Sequence, residues 1–352
     1  MPARDRIRLA VGQLTDLADD DLAYAAQLGV SGIQLFAPSW AGDRHWSEAG
    51  LRHAGERCAA YGLRLESVAM HIYPRAMLGL PGGDEELELC RATIRNMGRA
   101  GVPILGHDFM PNSVWRTSED APGRGRSRST AFDLRLVEAG GAVGAHRRSL
   151  GPIAPDIDAA LAELPAGRVI DDEAMWANFE RFMRAVLPEA EAAGVVLAVH
   201  PDDPPVPMLG GVARILRSPA GFRRAMAIAD SPAWKVLVCL GSTSEMEGGA
   251  AAVDEMIETF GPLGKIAYVH FRDVEGTVPA FREAFIGEGN YDPAAVMRAL
   301  DRVGFDGFLM DDHVPFMAAD SAYGHTARAH AIGYMQGLLD MLDRDDRGAT
   351  QA

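Results

Sequence analysis

Cysteine is scarce, with only Cys58, Cys90 and Cys239 among 352 residues. An odd, small number builds no disulfide framework and fits a reducing, cytoplasmic setting. No apolar run approaches the length of a membrane span, and the opening MPARDRIRLAVGQL has no apolar signal core. Basic charge is also short: 34 Lys and Arg stand against 49 Asp and Glu, a formal charge of −15. That balance argues against a general nucleic-acid or membrane surface, both of which need positive charge. Aromatics make up only 7% of the chain, yet 48% is hydrophobic, which is enough for a large core.

The chain does contain a repeated pattern. Short runs rich in Val, Ile and Leu alternate eight times with longer amphipathic stretches. The runs are 7–11, 32–36, 64–70, 102–106, 195–200, 235–240, 265–271 and 307–311. Such runs, with little polar alternation, suit parallel strands buried on both faces. The stretches 19–28, 48–61, 84–100, 176–193 and 292–303 carry helical spacing, and Gly29, Gly62, Gly101, Gly194 and Gly304 follow them. Glycine takes the left-handed C′ conformation at no steric cost, so each helix has a stop signal before the next strand. Eight strands on this plan predict a single (β/α)8 TIM barrel over 1–352.

One connection breaks the rhythm. The segment 107–175 follows the fourth strand and includes APGRGRSRST and HRRSLGPIAP. It leaves the barrel at the end where barrel enzymes place their active sites, so it reads as a lid or cap, with a disordered loop as the plainer alternative for 118–130. From Arg116 to Arg148 there are seven arginines against four acids, a local reversal that suits an anionic ligand or a solvated loop. The segment 341–352 reads as a flexible tail.

The strand ends carry the chemistry. The fifth ends in His200, before Pro-Asp-Asp-Pro-Pro; the sixth carries Cys239; the seventh reaches His270, before Phe271-Arg272; the eighth ends in Asp311-Asp312-His313. Alone, a strand Cys is usually a small hydrophobe and a His a hydrogen-bonded core residue. Together, at one rim, two imidazoles, a thiol and a carboxylate form a ligand set for Zn2+, Mn2+, Fe2+ or Co2+. His107-Asp108 after the fourth strand and Met70-His71 after the third are further candidates for the same pocket. No serine-nucleophile or phosphate-loop motif is present.

These residues resemble the signatures of the metal-dependent mannonate dehydratases. The matching pieces are HPDDPP at 200–205, Cys239-x-Gly-Ser, His270-x-Arg272, Asp312-His313, and DFMPNSVWRT at 108–117 beside that family's Asn-Phe-Met-Pro segment. The resemblance implies a TIM barrel related to xylose isomerase. It also implies dehydration of D-mannonate to 2-keto-3-deoxy-D-gluconate, usually with Mn2+. It places the metal ligands on His200, Cys239, His270 and Asp312, an acid/base group on His313 and a functional tyrosine on Tyr323. The chain departs from the family at Leu9-Ala10-Val11-Gly12, at 66–70, and at Ile286, where the family has His.

Dehydrating a sugar acid needs one group to take the C2 proton and another to protonate the leaving C3 hydroxyl. The expectation is His313 and Tyr323 in these roles, Arg272 holding the substrate carboxylate, Asp202 orienting a ligand or hydroxyl, and His107 and Asp108 contacting substrate. A metal-dependent sugar isomerase or epimerase is the first alternative, and a non-catalytic sugar-acid binding protein the second. Barrels of this kind often associate, so a homo-oligomer is compatible with every reading.

Overall fold

The computed structural model describes residues 3–36, 45–69, 73–138, 144–145, 154–165 and 167–351. Its barrel strands are β1 (Arg8–Leu14), β2 (Gly32–Phe36), β3 (Arg64–Ala69), β4 (Ile104–His107), β5 (Val196–Val199), β6 (Trp234–Cys239), β7 (Ile266–His270) and β8 (Phe308–Met310). They close, all parallel, in the order β1-β8-β7-β6-β5-β4-β3-β2. Each overlaps one of the eight apolar runs. The main helices are α1 (Asp19–Gln27), α2 (Glu48–Ala60), α3 (Gly83–Ala100), α4 (Asp172–Ala193), α5 (Pro219–Ile228), α6 (Ala250–Phe260), α7 (Pro293–Arg302) and α8 (His325–Gln351). The five stop-signal glycines all have positive φ, between 67° and 79°, as the left-handed C′ position requires.

Two apolar regions hold the barrel together. The larger lies between strands and helices and includes Val11, Ile33, Phe179, Trp234 and Val269. The smaller fills the barrel interior with Ala10, Ala198, Leu237, Cys239, Tyr268, Phe308 and Met310. Within it the rings of Tyr268 and Phe308 stack with centroids 4.6 Å apart. This packed floor closes the barrel below the rim, so chemistry is confined to the C-terminal end of the strands.

Within 118–130 the chain forms strands. Strands Ser118–Pro122 and Arg128–Asp133 join the hairpin Asp273–Thr277 and Ala280–Ala284, which follows β7, in a four-stranded sheet. Non-local antiparallel pairing, such as Phe281 with Phe132, fixes it. The segment 341–352, expected as a flexible tail, continues α8 as far as Gln351, and Leu342 is buried against the core. Met70-His71 lies outside the described residues. No helix of the described residues is long and apolar enough to cross a membrane.

Gly106 marks where strand and floor meet. A Cβ there would lie 2.3 Å from the Tyr268 hydroxyl and 2.9 Å from the Ala69 Cβ. Gly106→Ala should therefore lower stability by about 1–3 kcal/mol, the usual cost of overpacking. Denaturant unfolding of variant and parent reads this directly, and an unchanged midpoint would contradict it.

Candidate metal centre and substrate pocket

The barrel brings the ends of β5, β6, β7 and β8 side by side. Cys239 pairs in register with His270, so thiol and imidazole sit level on adjacent strands. One ligand atom each from His200, Cys239 and His270 lies within 4.8 Å of the others. Asp312 joins them, its Oδ2 3.6 Å from His270 Nδ1 and 3.9 Å from Cys239 Sγ. His200 Nδ1 lies 2.6 Å from the Pro201 carbonyl oxygen. That contact makes Nδ1 the protonated nitrogen and leaves Nε2 as a lone-pair donor.

His270 is buried, and neither ring nitrogen has a hydrogen-bond partner among the described residues. Burying two such atoms unpaired is costly, and a cation would relieve the cost. The four donors therefore fit a divalent metal on their own chemistry.

Asp312 and Asp311 divide their work. Asp311 accepts from the Gly12 N–H at 3.2 Å and pairs with Arg328, so its carboxylate is committed away from the cluster. Asp312 faces the pocket, where Gln13 Nε2 donates to its other oxygen. Gln13 has φ of 60°, a strained conformation for a residue with a Cβ, at the point where β1 reaches the rim.

The pocket is lined on one side by His200, His270 and Asp312, and elsewhere by Gln13, Gln34, Phe36, His107, Asp108, Met110, Asp203, Tyr268, Arg272 and His313. An outer vestibule shares Gln13, Phe36 and His313 with it and adds Glu119, Tyr323 and Arg328. His107 and Asp108 thus reach the pocket as expected. Burial lowers the His107 imidazole to about 4 and raises the Asp108 carboxyl to about 6. At neutral pH His107 is therefore uncharged.

Three other expected residues are placed by their hydrogen bonds. Asp202 does not line the pocket. Its Oδ2 accepts from the Leu216 N–H at 2.6 Å and its Oδ1 lies 3.8 Å from Arg214. Its neighbour Asp203 takes the place on the pocket wall. Arg272 lines the pocket but has no donor to spare for a substrate carboxylate. Its Nε and NH2 donate to Glu283 at 3.1 and 2.7 Å, NH1 donates to Asp203 at 3.0 Å and Ser242 at 3.2 Å, and NH2 also meets Glu245. Arg272 NH1 is also 3.6 Å from Cys239 Sγ, so its charge supports the thiol ligand. Tyr323 lines the vestibule, not the inner pocket, and its hydroxyl donates to the Gly12 carbonyl at 2.6 Å.

The acids around Arg272 form a buried network that includes a second guanidinium. Arg116 makes a two-pronged contact with Asp203 and reaches Glu283 at 3.1 Å. Burial, with Asp203 nearby, lifts Glu245 well above the usual carboxylate range. Burial would raise Asp203 as well, but Arg116 and Arg272 pull it well below its ordinary value. The same burial penalty on Glu283 is outweighed by Arg272 and His313, which hold it at about 2. Glu283 Oε1 also lies 3.1 Å from His313 Nδ1 and so orients that imidazole at the rim. Sequence reasoning gave Glu283 no role.

A depressed carboxylate stabilises the fold above its unfolded pKa and loses that contribution as pH falls through the folded one. For Glu283 the loss falls between the ordinary 4.5 and about 2. Melting midpoints of the parent and Glu283→Gln should differ most above that window, and the gap should narrow as pH falls into it. A gap that stays constant would contradict the network.

Comparison with known proteins shows the family and the fold. Residues 17–348 match the D-mannonate dehydratase (UxuA) family. The mannonate dehydratase of Bacillus subtilis (strain 168) is 30% identical over 345 residues, covering 92% of this chain and 93% of that protein. The crystal structure of mannonate dehydratase from Streptococcus suis serotype 2 superposes with a TM-score of 0.82 at 24% identity, over 97% and 96% of the two chains. An L-ribulose 3-epimerase shares the fold at a TM-score of 0.58 and 16% identity, over 97% and 98%. With its rim donors on a xylose isomerase-like TIM barrel and a family match over almost its whole length, the chain belongs to the D-mannonate dehydratase family.

Proposed function

We propose that this hydro-lyase removes water from D-mannonate to give 2-keto-3-deoxy-D-gluconate. The observation that carries the reading is the rim cluster of His200, Cys239, His270 and Asp312, with both His270 nitrogens unpartnered among the described residues, in a chain of this family. The resemblance favours Mn2+, and the donor set also accepts Fe2+, Co2+ or Zn2+. A divalent cation held there would supply Lewis acidity to the oxygens of the sugar acid and so acidify the adjacent C2–H bond.

The chain's own groups move the protons. The C2 proton leaves, the C2–C3 double bond forms and the C3 hydroxyl departs as water after receiving a proton. The resulting enol becomes the 2-keto acid. His313 stands where inner pocket and vestibule meet, with Nδ1 steadied by Glu283, so it is placed to exchange a proton with substrate. Tyr323 would take the second role by exchanging the Gly12 carbonyl for the substrate's leaving hydroxyl. Arg272 and Asp203 orient the ligands and leave the substrate carboxylate to the cation. The segment 107–175 acts as a cap on a single 1–352 domain, contributing Asp108, Met110 and Val114 to the pocket. The three cysteines are free thiols, which suits a cytoplasmic enzyme.

Three measurements test this reading. Metal-stripped protein reloaded with Mn2+ should convert D-mannonate to the 2-keto-3-deoxy acid, and a chelated control should not. His313→Asn should keep its metal and lose about 100-fold or more in kcat, the usual scale of a general acid–base group. Full turnover by that variant would remove His313 from the mechanism. Loading with Co2+ should give a thiolate charge-transfer absorption that Cys239→Ser abolishes. Its persistence in the variant would exclude Cys239 as a ligand.

A further inference from the structure

The pocket has a second wall, which begins beside the metal donors where β4 pairs with β5. It is built from β2 and the end of β4, and three buried polar side chains line it: Gln34, His107 and Asp108. Gln34 Nε2 donates to the Tyr268 hydroxyl at 2.9 Å, and its Oε1 has no partner among the described residues. His107 stacks on Phe182 with centroids 5.3 Å apart, and its Nε2 is also without a partner among them. Asp108 Oδ1 accepts from the Met110 N–H at 3.1 Å, while Oδ2 has none among them. Three unpaired polar atoms on residues that line one pocket are costly unless a ligand pairs them.

The chemistry of that ligand follows from the wall. It carries no guanidinium or ammonium group, and Asp108 would repel a carboxylate or phosphate. Turning the Gln34 amide over, or moving the His107 proton to its other nitrogen, exchanges donor for acceptor and still leaves one unpaired atom. A hydroxyl group both donates and accepts, so it satisfies all three positions in either arrangement. Gly106 keeps the floor open here, since a Cβ would run into the Tyr268 hydroxyl.

We propose that Gln34, His107 and Asp108 form a polyol-reading wall that pairs with sugar hydroxyls beyond the reacting carbons and turns the carboxylate towards His200, Cys239, His270 and Asp312. Gln34 and His107 are then specificity-determining residues. The identity of the ligand as an aldonate rests on the dehydratase reading above.

The test pairs variants with trimmed ligands on the Mn2+-loaded full chain. The probes are D-mannonate and its 4-deoxy and 5-deoxy analogues. The variants are Gln34→Met, close in volume, and His107→Phe, which keeps the stack on Phe182; circular dichroism verifies folding. Calorimetric affinity is read throughout, and kcat/KM wherever turnover occurs. The parent should bind at least one deoxy analogue about 10- to 100-fold more weakly than D-mannonate, the scale of one buried unpaired group. A folded variant should show a similar loss for D-mannonate, and at most about a further two-fold for that analogue, because the partner is already gone. Equal affinity of the parent for all three probes, or losses that add in full in every folded variant, would overturn the wall. Absence of turnover with these affinity patterns intact would overturn the dehydratase reading and leave the wall standing.

Discussion

A guanidinium with no access to water must have its charge met inside the protein, and the rim of this barrel is organised around that requirement. Arg272, which follows β7, is fully buried. Its partners come from elsewhere: Asp203 after β5, Ser242 and Glu245 after β6, and Glu283 from the hairpin beyond β7. Arg116, from the insertion after β4, ties into the same acids, and Glu283 reaches on to His313 after β8. Five consecutive connections are thereby held in one arrangement. Removing Asp203 or Glu283 would leave buried guanidinium charge less fully met, so the network resists piecemeal change. The thiol of Cys239 and the imidazole of His313 take their positions from it.

That arrangement gives the pocket two chemically different sides. On β5 to β8 lie donors suited to a cation, with Asp312 set by Gln13 and Arg272 behind the thiol. On β2 and at the end of β4 lie an amide, an imidazole and a carboxyl group with unpaired atoms. A sugar acid has the same two-sidedness: a carboxylate with its neighbouring hydroxyl at one end and a chain of hydroxyls at the other. Epimerases of sugars share the barrel, so the architecture is common to several reactions. The rim residues and family membership distinguish this chain.

Much of this was legible in the sequence, and for physical reasons. Parallel strands buried on both faces must be nearly all apolar, so a polar residue ending such a run, as at His200, Cys239 and His270, stands out. Helix-stopping glycines mark the repeat. What stayed hidden depended on direction or on distant pairing. Asp202 and Asp203 are neighbours in one motif, yet one turns to Leu216 and the other to Arg116. An arginine beside a ligand set reads as an anion binder until the acids that saturate it are known, and these arrive from residues as remote as Glu245 and Glu283. The hairpin 273–284 pairs with a strand about 150 residues earlier, Ala280 opposite Asp133, which local pattern does not encode. Gln34 and Tyr268 did carry a signal, as polar groups within apolar strands.

The central claim is that the ends of four consecutive strands hold one divalent cation facing a sugar acid. Anomalous diffraction from crystals grown with Mn2+ and D-mannonate tests it most directly. The account predicts a single strong manganese peak among His200, Cys239, His270 and Asp312, with the carboxylate of the bound molecule on that side of the pocket. A peak elsewhere, or none in protein shown to contain manganese, would contradict it.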